Sequence, residues 1–86
     1  MYAIVMIHIT VRLYAMLRRF APPGLGHGQG FPVELPDGSR LSDLVAELHL
    51  PAEDIKQVFV KSRRQEPDYL LADGEEAAIF PPIGGG

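Results

Sequence analysis

The reactive group that the sequence singles out lies at its end, in Gly84-Gly85-Gly86. The tip of this segment offers one functional group, the α-carboxylate of Gly86, which is ionised at neutral pH as α-carboxyl groups are. An ionised carboxylate is a poor electrophile, but a partner enzyme could convert it with ATP into an acyl-adenylate. Attack by sulfur on that adenylate would then leave a thiocarboxylate, which is a nucleophilic sulfur on an arm.

The residues before the glycines form a stiff hinge, Phe80-Pro81-Pro82. The two prolines cannot donate hydrogen bonds to a β-ladder, so they direct the chain out of a sheet. The four residues after Pro82 can extend about 13–14 Å, and glycine has the thinnest cross-section for entering a narrow pocket. A frayed end or a cloning scar is the plain alternative. Because no polar linker precedes the glycines, we expect Gly84 and Gly85 to insert into another protein and Gly86 to be modified there.

Other kinds of reactive site have little support in the sequence. The chain has no cysteine, which excludes disulfides, thiolate metal sites and cysteine nucleophiles. His8, His27 and His49 lack metal-ligand spacing, so no metal is predicted. The glycine-rich stretch 24–30 lacks the Lys-Ser/Thr pair of a phosphate-binding loop and precedes Phe31 rather than a helix, which favours a flexible connector. We expect no bound cofactor.

Charge and the start of the chain limit the partners. The net charge is −3, without a long run of either sign, so nucleic acid is not an expected partner. The pairs Arg18-Arg19 and Arg63-Arg64 are predicted to be solvated, with the steering of an acidic partner as a secondary role. Residues 1–7 are apolar but too short for a membrane span and lack the early Lys or Arg of a signal peptide. We therefore expect no membrane contact and a cytoplasmic location.

The elements that must position the tail form one small α+β domain. Period-2 alternation predicts strands over 7–13 and 31–35, and short apolar runs predict strands over 58–60 and 77–80. Apolar spacing of i, i+3, i+4 predicts a short helix over 14–20 and the main helix over 41–48, with Ser39 or Ser42 as its cap and Pro51 after it. The predicted connections are an exposed loop over 22–30, a polar segment over 61–68 and a tight turn at Asp73-Gly74.

One aromatic pair is predicted on the outer face of the sheet. His8, Thr10 and Arg12 alternate with the apolar residues of the first strand, so they should lie opposite the helix. Phe59 alternates with two valines and should point the same way, where Phe80 joins it. Such a pair on a polar face is either a partner-binding patch or ordinary exposed apolar surface, and the sequence leaves both open.

At its end the chain resembles the β-grasp sulfur carriers of the MoaD/ThiS-like family. The segment from Asp73, DGEEAAIFPPIGGG, combines turn, strand, Phe-Pro-Pro hinge and terminal Gly-Gly, as that family does. The hinge and the longer first helix and loop are similar to the molybdopterin-type members. The resemblance implies a ubiquitin-like β-grasp fold over residues 1–83, with a mixed sheet packed on one main helix, and a flexible glycine tail over 84–86.

The resemblance also implies a function, that of a carrier rather than an enzyme. An adenylating enzyme of the E1 type would activate Gly86 with ATP, and a sulfur donor protein would convert it to a thiocarboxylate. The large subunit of molybdopterin synthase, or another acceptor, would take the sulfur. Gly85 and Gly86 match the terminal pair of the family, and Gly84 stands at its variable position. The residues expected to contact partners are Phe59, Phe80, Pro81, Pro82 and Ile83.

One departure and three alternatives accompany the resemblance. Where members usually have Asn-Gly after the third strand, this chain has Lys61-Ser62, so a remodelled turn is expected there. The first alternative is a ubiquitin-like modifier that attaches its tail to lysines. The second is a sulfur carrier for thiamine or another sulfur metabolite. The third is an interaction domain with an inert tail.

Overall fold

The computed structural model describes residues 5–82 and contains five strands, one α-helix and two 3₁₀ helices. The strands are β1 (Met6–Leu13), β2 (Phe31–Pro36), β3 (Gln57–Val60), β4 (Arg63–Gln65) and β5 (Glu76–Phe80). The α-helix is α1 (Leu41–Glu47), and the 3₁₀ helices are Ala15–Phe20 and Ala52–Asp54. Ile83 and the predicted glycine tail lie outside the described residues, as does the predicted domain boundary at 83.

The strands form a single mixed sheet in the order β2-β1-β5-β3-β4. The neighbouring strands β1 and β5 run parallel, while the other pairs are antiparallel. The chain passes through α1 and β3 between β1 and β5, which gives the parallel pair the long connection that it requires. The predicted α+β architecture, a mixed sheet with one main helix, is confirmed.

The core lies on the side of the sheet that faces α1. Alternate residues of β1, β3 and β5 are buried there together with two leucines of α1, and each fully buried aliphatic side chain contributes about 1.5–3 kcal/mol of transfer free energy. The opposite faces of the strands stay partly or fully accessible. The most deeply buried large side chains are Ile9, Val11, Leu13, Leu17, Leu41, Leu44, Val60 and Ile79.

Two helix details differ from the sequence prediction. The first helix is a six-residue 3₁₀ helix that begins at Ala15, whose φ is 52°, and such helices are short because their hydrogen bonds are poorly aligned. Neither Ser39 nor Ser42 caps α1. Arg40 occupies the N-cap position, and its N–H donates to the Asp43 carboxylate at 2.8 Å. The Ser39 hydroxyl instead donates to the carbonyl of Pro36 in the preceding turn, at 2.6 Å.

The segment 61–68, predicted to be a polar connection, contains the edge strand β4. Its residues Arg63–Gln65 pair with β3 in register, so the strand is defined by backbone pairing and not by apolar alternation. The remodelling expected of the turn before it, relative to the Asn-Gly turn of the family, stays a prediction. Lys61 and Ser62 alone join β3 to β4, with φ of 54° and 63°, and positive φ at both positions is the feature of a type I′ hairpin turn.

Within residues 5–82, no helix combines the length and the apolar character that crossing a membrane requires.

Candidate functional site

The chain leaves the sheet at the end of the central strand β5. Phe80 is the last residue of this strand, and its carbonyl accepts a hydrogen bond from the Lys56 N–H at 2.8 Å. Pro81 is half-buried and Pro82 is exposed, and these two are the last described residues. Since neither has an N–H to donate, the ladder ends at Phe80 as the sequence predicts.

Three aromatic side chains meet where the chain leaves the sheet. The rings of Tyr14 and Phe80 stack with centroids 4.5 Å apart and an interplanar angle of 3°. Phe59 meets Phe80 edge to face at 5.6 Å and 90°. Such pairs contribute about 0.5–1.5 kcal/mol each beyond their buried area. We call these three residues the aromatic cluster, and all three are half-buried, so each also presents surface to a partner.

The aromatic cluster lies between two shallow hollows on the outer face of the sheet. One hollow, of about 520 Å³, is bordered by Phe59, Phe80 and the Lys61-Ser62 turn. The other, of about 670 Å³, is bordered by Tyr14, Phe80 and the two prolines. An apolar centre with accessible space on both sides is typical of surfaces that bind another protein.

Charged side chains surround this apolar centre. The Arg12 Nε donates to Glu76 Oε1 at 2.6 Å, and this ion pair raises the pKa of the arginine above its ordinary value. Arg64 is exposed and stands opposite Phe59 in the β3–β4 ladder, and Lys61 is exposed in the adjoining turn. The polar rim around an apolar centre supports specificity more than affinity.

The predicted turn at Asp73-Gly74 fixes the start of β5 beside β1. Gly74 has a φ of 86°, and its N–H donates to the His8 carbonyl at 2.8 Å. The Asp73 carboxylate accepts the His8 N–H at 2.7 Å, and this hydrogen bond is the main reason that the pKa of Asp73 lies below its usual range. The turn thereby sets the register in which β5 carries Phe80 to the cluster.

The structure brings two predicted partner-binding residues together, Phe59 and Phe80, and places Pro81 and Pro82 directly after them. Ile83, Gly84, Gly85 and Gly86 lie outside the described residues, so their roles stay predictions. Tyr14 is the residue that the sequence prediction missed. Tyr14 follows Arg12 by two residues, so it lies on the same outward side as the other polar residues of β1. The alternation along this strand could therefore have predicted its position.

No three His, Asp or Glu side chains gather to form a metal-binding group anywhere in the described part of the chain.

Comparison with known proteins identifies the family and the fold. The model of the ThiS family matches residues 11–86. A Pyrococcus furiosus protein provisionally named molybdopterin converting factor, subunit 1, is 26% identical with a TM-score of 0.70, over 90% of this chain and 99% of that one. Small archaeal modifier protein 1 of Haloferax volcanii is 20% identical with a TM-score of 0.70, over 90% and 99% of the two chains.

A ubiquitin of Caldiarchaeum subterraneum shares the same architecture. It is 15% identical, with a TM-score of 0.59 over 95% of this chain and 100% of that one, so the likeness concerns the fold alone. The mixed five-stranded sheet with one main helix is thus the ubiquitin-like β-grasp arrangement. The family match covers the last four strands, β2 to β5, together with the Phe-Pro-Pro hinge and the terminal glycines. The chain therefore belongs to the ThiS family, the MoaD/ThiS-like group of small ubiquitin-fold carrier proteins.

Proposed function

We propose that the chain is a sulfur carrier whose Gly86 carboxylate is loaded with sulfur. In the active site of a partner enzyme of the E1 type, an oxygen of this carboxylate attacks the α-phosphorus of ATP, which releases pyrophosphate and forms an acyl-adenylate. Sulfide-level sulfur from a donor protein then attacks the carbonyl carbon, AMP leaves, and a thiocarboxylate remains. ATP serves the activating enzyme in this scheme, and the chain is a substrate of that enzyme.

The observation that carries the proposal is the position of the aromatic cluster at the base of the tail. The cluster includes Phe80 itself, and only Pro81 and Pro82 separate it from the last four residues. Those four residues span at most about 13–14 Å. A partner that receives the terminus must therefore approach the cluster closely, and the half-buried rings offer it an apolar contact.

We propose an acceptor in the synthesis of a pterin cofactor for molybdenum or tungsten. The support is the name of the Pyrococcus furiosus relative and the Phe80-Pro81-Pro82 hinge, which is similar to the molybdopterin type. The acceptor would be the large subunit of a molybdopterin synthase, and the present chain its small subunit. Thiamine synthesis is the alternative acceptor pathway, favoured by the family model that matches the chain.

The loading reaction is tested by intact mass. The chain is incubated with ATP, the activating enzyme and a sulfur donor, and exchange of one terminal oxygen for sulfur is the expected product. Deletion of Gly85 and Gly86 should abolish loading and leave the thermal midpoint within about 1 °C, because these residues have no side chains to pack. An unchanged mass with an enzyme that is active on another carrier would contradict the proposal.

The matched control is Gly24→Ala, which changes a glycine whose added methyl group meets nothing within 4 Å and should load normally. Isopeptide-linked ladders in cells, with no thiocarboxylate formed, would favour the modifier alternative. Transfer of sulfur from the loaded chain to a pterin precursor, compared with transfer to a thiazole precursor, separates the two acceptor pathways.

A further inference from the structure

The glycine-rich loop over 22–30 is anchored to the face that carries the aromatic cluster. Arg12 Nη1 donates to the Gly28 carbonyl at 2.6 Å, and Gly28 is buried. A Cβ atom at Gly28 would lie 2.7 Å from Cε1 of Tyr14, which is closer than van der Waals contact allows. Together with its φ of 62°, this approach makes glycine the residue that position 28 requires.

The contacts of this loop form a closed path that begins and ends on β5. Glu76 at the start of the strand accepts a hydrogen bond from Arg12 Nε–H. Arg12 also donates to the Gly28 carbonyl, and Gly28 lies against Tyr14. Tyr14 in turn stacks on Phe80 at the end of the same strand. We call Glu76, Arg12, Gly28 and Tyr14 the clamp.

Two backbone features give the clamp a fixed geometry. Ala15 directly after Tyr14 has a φ of 52°, a conformation that L-residues rarely adopt, and it turns the chain sharply from β1 into the 3₁₀ helix. On the other side of the exit, the Lys56 N–H holds the Phe80 carbonyl at 2.8 Å. Phe80 is thus held by its ring and by its carbonyl.

We propose that the clamp sets the direction in which the chain leaves the sheet after Phe80, and that Tyr14, Gly28 and Arg12 are positioning residues for Phe80 and the Pro81-Pro82 hinge. Pro81 transmits the orientation of Phe80, because its ring fixes φ near about −65°. The inference rests on the proposed function, since the carboxylate must reach ATP in the activating enzyme. A chain that leaves the sheet in another direction brings the carboxylate to ATP less often, and poor placement of a reacting group can lower a rate about 100-fold.

The test compares Gly28→Ala with Gly24→Ala. Both glycines lie in the same loop with positive φ, 62° and 89°, so both substitutions strain the backbone. Only the methyl group at position 28 strikes Tyr14, because a Cβ at position 24 meets nothing within 4 Å. In the adenylation reaction, Gly28→Ala should lower kcat and kcat/KM at least about tenfold. Gly24→Ala should keep both constants.

A second pair of variants guards against failure of Gly28→Ala to fold. Arg12→Gln releases the Gly28 carbonyl without adding an atom near Tyr14, and it should also lower kcat. Its control is Arg18→Gln, since Arg18 contacts His27 of the same loop at 2.8 Å but lies outside the clamp.

A structural readout separates this inference from the proposed function. Residual dipolar couplings of the amides of Phe80 and Ile83, measured on the protein alone, should change in Gly28→Ala and not in Gly24→Ala. If wild-type chain is not adenylated, the proposed function fails, whereas the couplings still decide whether the clamp orients the exit. Equal kcat losses in both glycine variants, or unchanged couplings in Gly28→Ala, would overturn the clamp.

Discussion

At the scale of single residues, Glu75 is an acidic residue that the fold buries. Its side chain is 4% exposed, yet it accepts hydrogen bonds from the Tyr69 hydroxyl at 2.6 Å and the Ala72 N–H at 2.7 Å. Lys61 Nζ lies 3.5 Å from its Oε2. Burial acts to raise the pKa of Glu75, but the hydrogen bonds from Tyr69, Ala72 and Lys61 outweigh it, so the pKa lies below its ordinary value.

This lowered pKa predicts the pH dependence of stability. A carboxyl group with a folded pKa below its unfolded value stabilises the protein above the unfolded value, near 4.5, and loses that stabilisation as the pH falls through the folded pKa. Glu75→Gln should therefore lower the free energy of unfolding by about 1–3 kcal/mol at neutral pH. Urea unfolding at neutral and at acidic pH measures both values.

The difference between wild type and Glu75→Gln should shrink as the pH falls below 4.5 and through the lowered pKa of the folded state. Asp73, whose pKa is also lowered, remains in the variant, so some loss of stability in acid should persist. Tyr69→Phe provides the matched control, because it removes only the hydroxyl that donates to Glu75. A variant Glu75→Gln as stable as wild type at neutral pH would show that the hydrogen bonds do not offset the burial of the charge.

At the scale of elements, the turn of the β3–β4 hairpin requires positive φ at two residues, and neither of them is glycine or asparagine. Positive φ at both turn positions favours Asn-Gly, yet the chain has Lys61 and Ser62. A side chain in this conformation costs about 1–2 kcal/mol. Lys61 gains its contact with Glu75 in return. Ser62 is exposed, and its side chain makes no hydrogen bond to any residue between 5 and 82.

Ser62→Gly should accordingly stabilise the protein. We expect a gain of about 0.5–1 kcal/mol in the free energy of unfolding, because relief of the strained φ exceeds the entropy that glycine adds to the unfolded chain. The same exchange in α1, Ser42→Gly, should instead cost about 0.5 kcal/mol, since glycine is a poor helix former. Thermal and urea unfolding of both variants check the opposite signs, and a destabilised Ser62→Gly would refute the strain.

At the scale of the whole molecule, the two faces of the sheet serve different purposes. The face toward α1 holds the apolar core, whereas the outer face carries the aromatic cluster and a polar rim. The chain leaves at the end of the central strand, where the cluster lies. Changes on the outer face should therefore affect partner binding more than stability, provided that the proposed function holds.

Phe59→Ala tests this division. Truncation of a binding hot spot to alanine costs about 2 kcal/mol or more, and if Phe59 is one, KM for the activating enzyme should rise at least about tenfold. Leu70→Ala is the control, because Leu70 is an apolar side chain, 54% exposed, that lies outside the cluster. Its KM should change less than about twofold. Equal effects of both variants would show that the outer face is ordinary surface.

Local chemistry in the sequence determined several features of this protein. Alternation placed Ile9 and Val11 inside and Thr10 and Arg12 outside, because side chains of a strand point to opposite faces in turn. The Asp73-Gly74 turn followed from the positive φ that glycine tolerates. The hinge followed from the missing N–H groups of proline. The family resemblance of the ending was likewise legible from residue types alone.

Only the tertiary structure decided which distant residues meet. Tyr14, Phe59 and Phe80 come from three segments far apart in the chain, and the register of β1, β5 and β3 brings them together. The edge strand β4 was missed because its arginines carry no apolar pattern, and backbone pairing with β3 creates it. The burial of Glu75 and the close approach of Gly28 to Tyr14 likewise depend on residues from other parts of the chain. Sequence periodicity reports the face on which a residue lies, whereas its neighbours on that face are fixed by strand pairing.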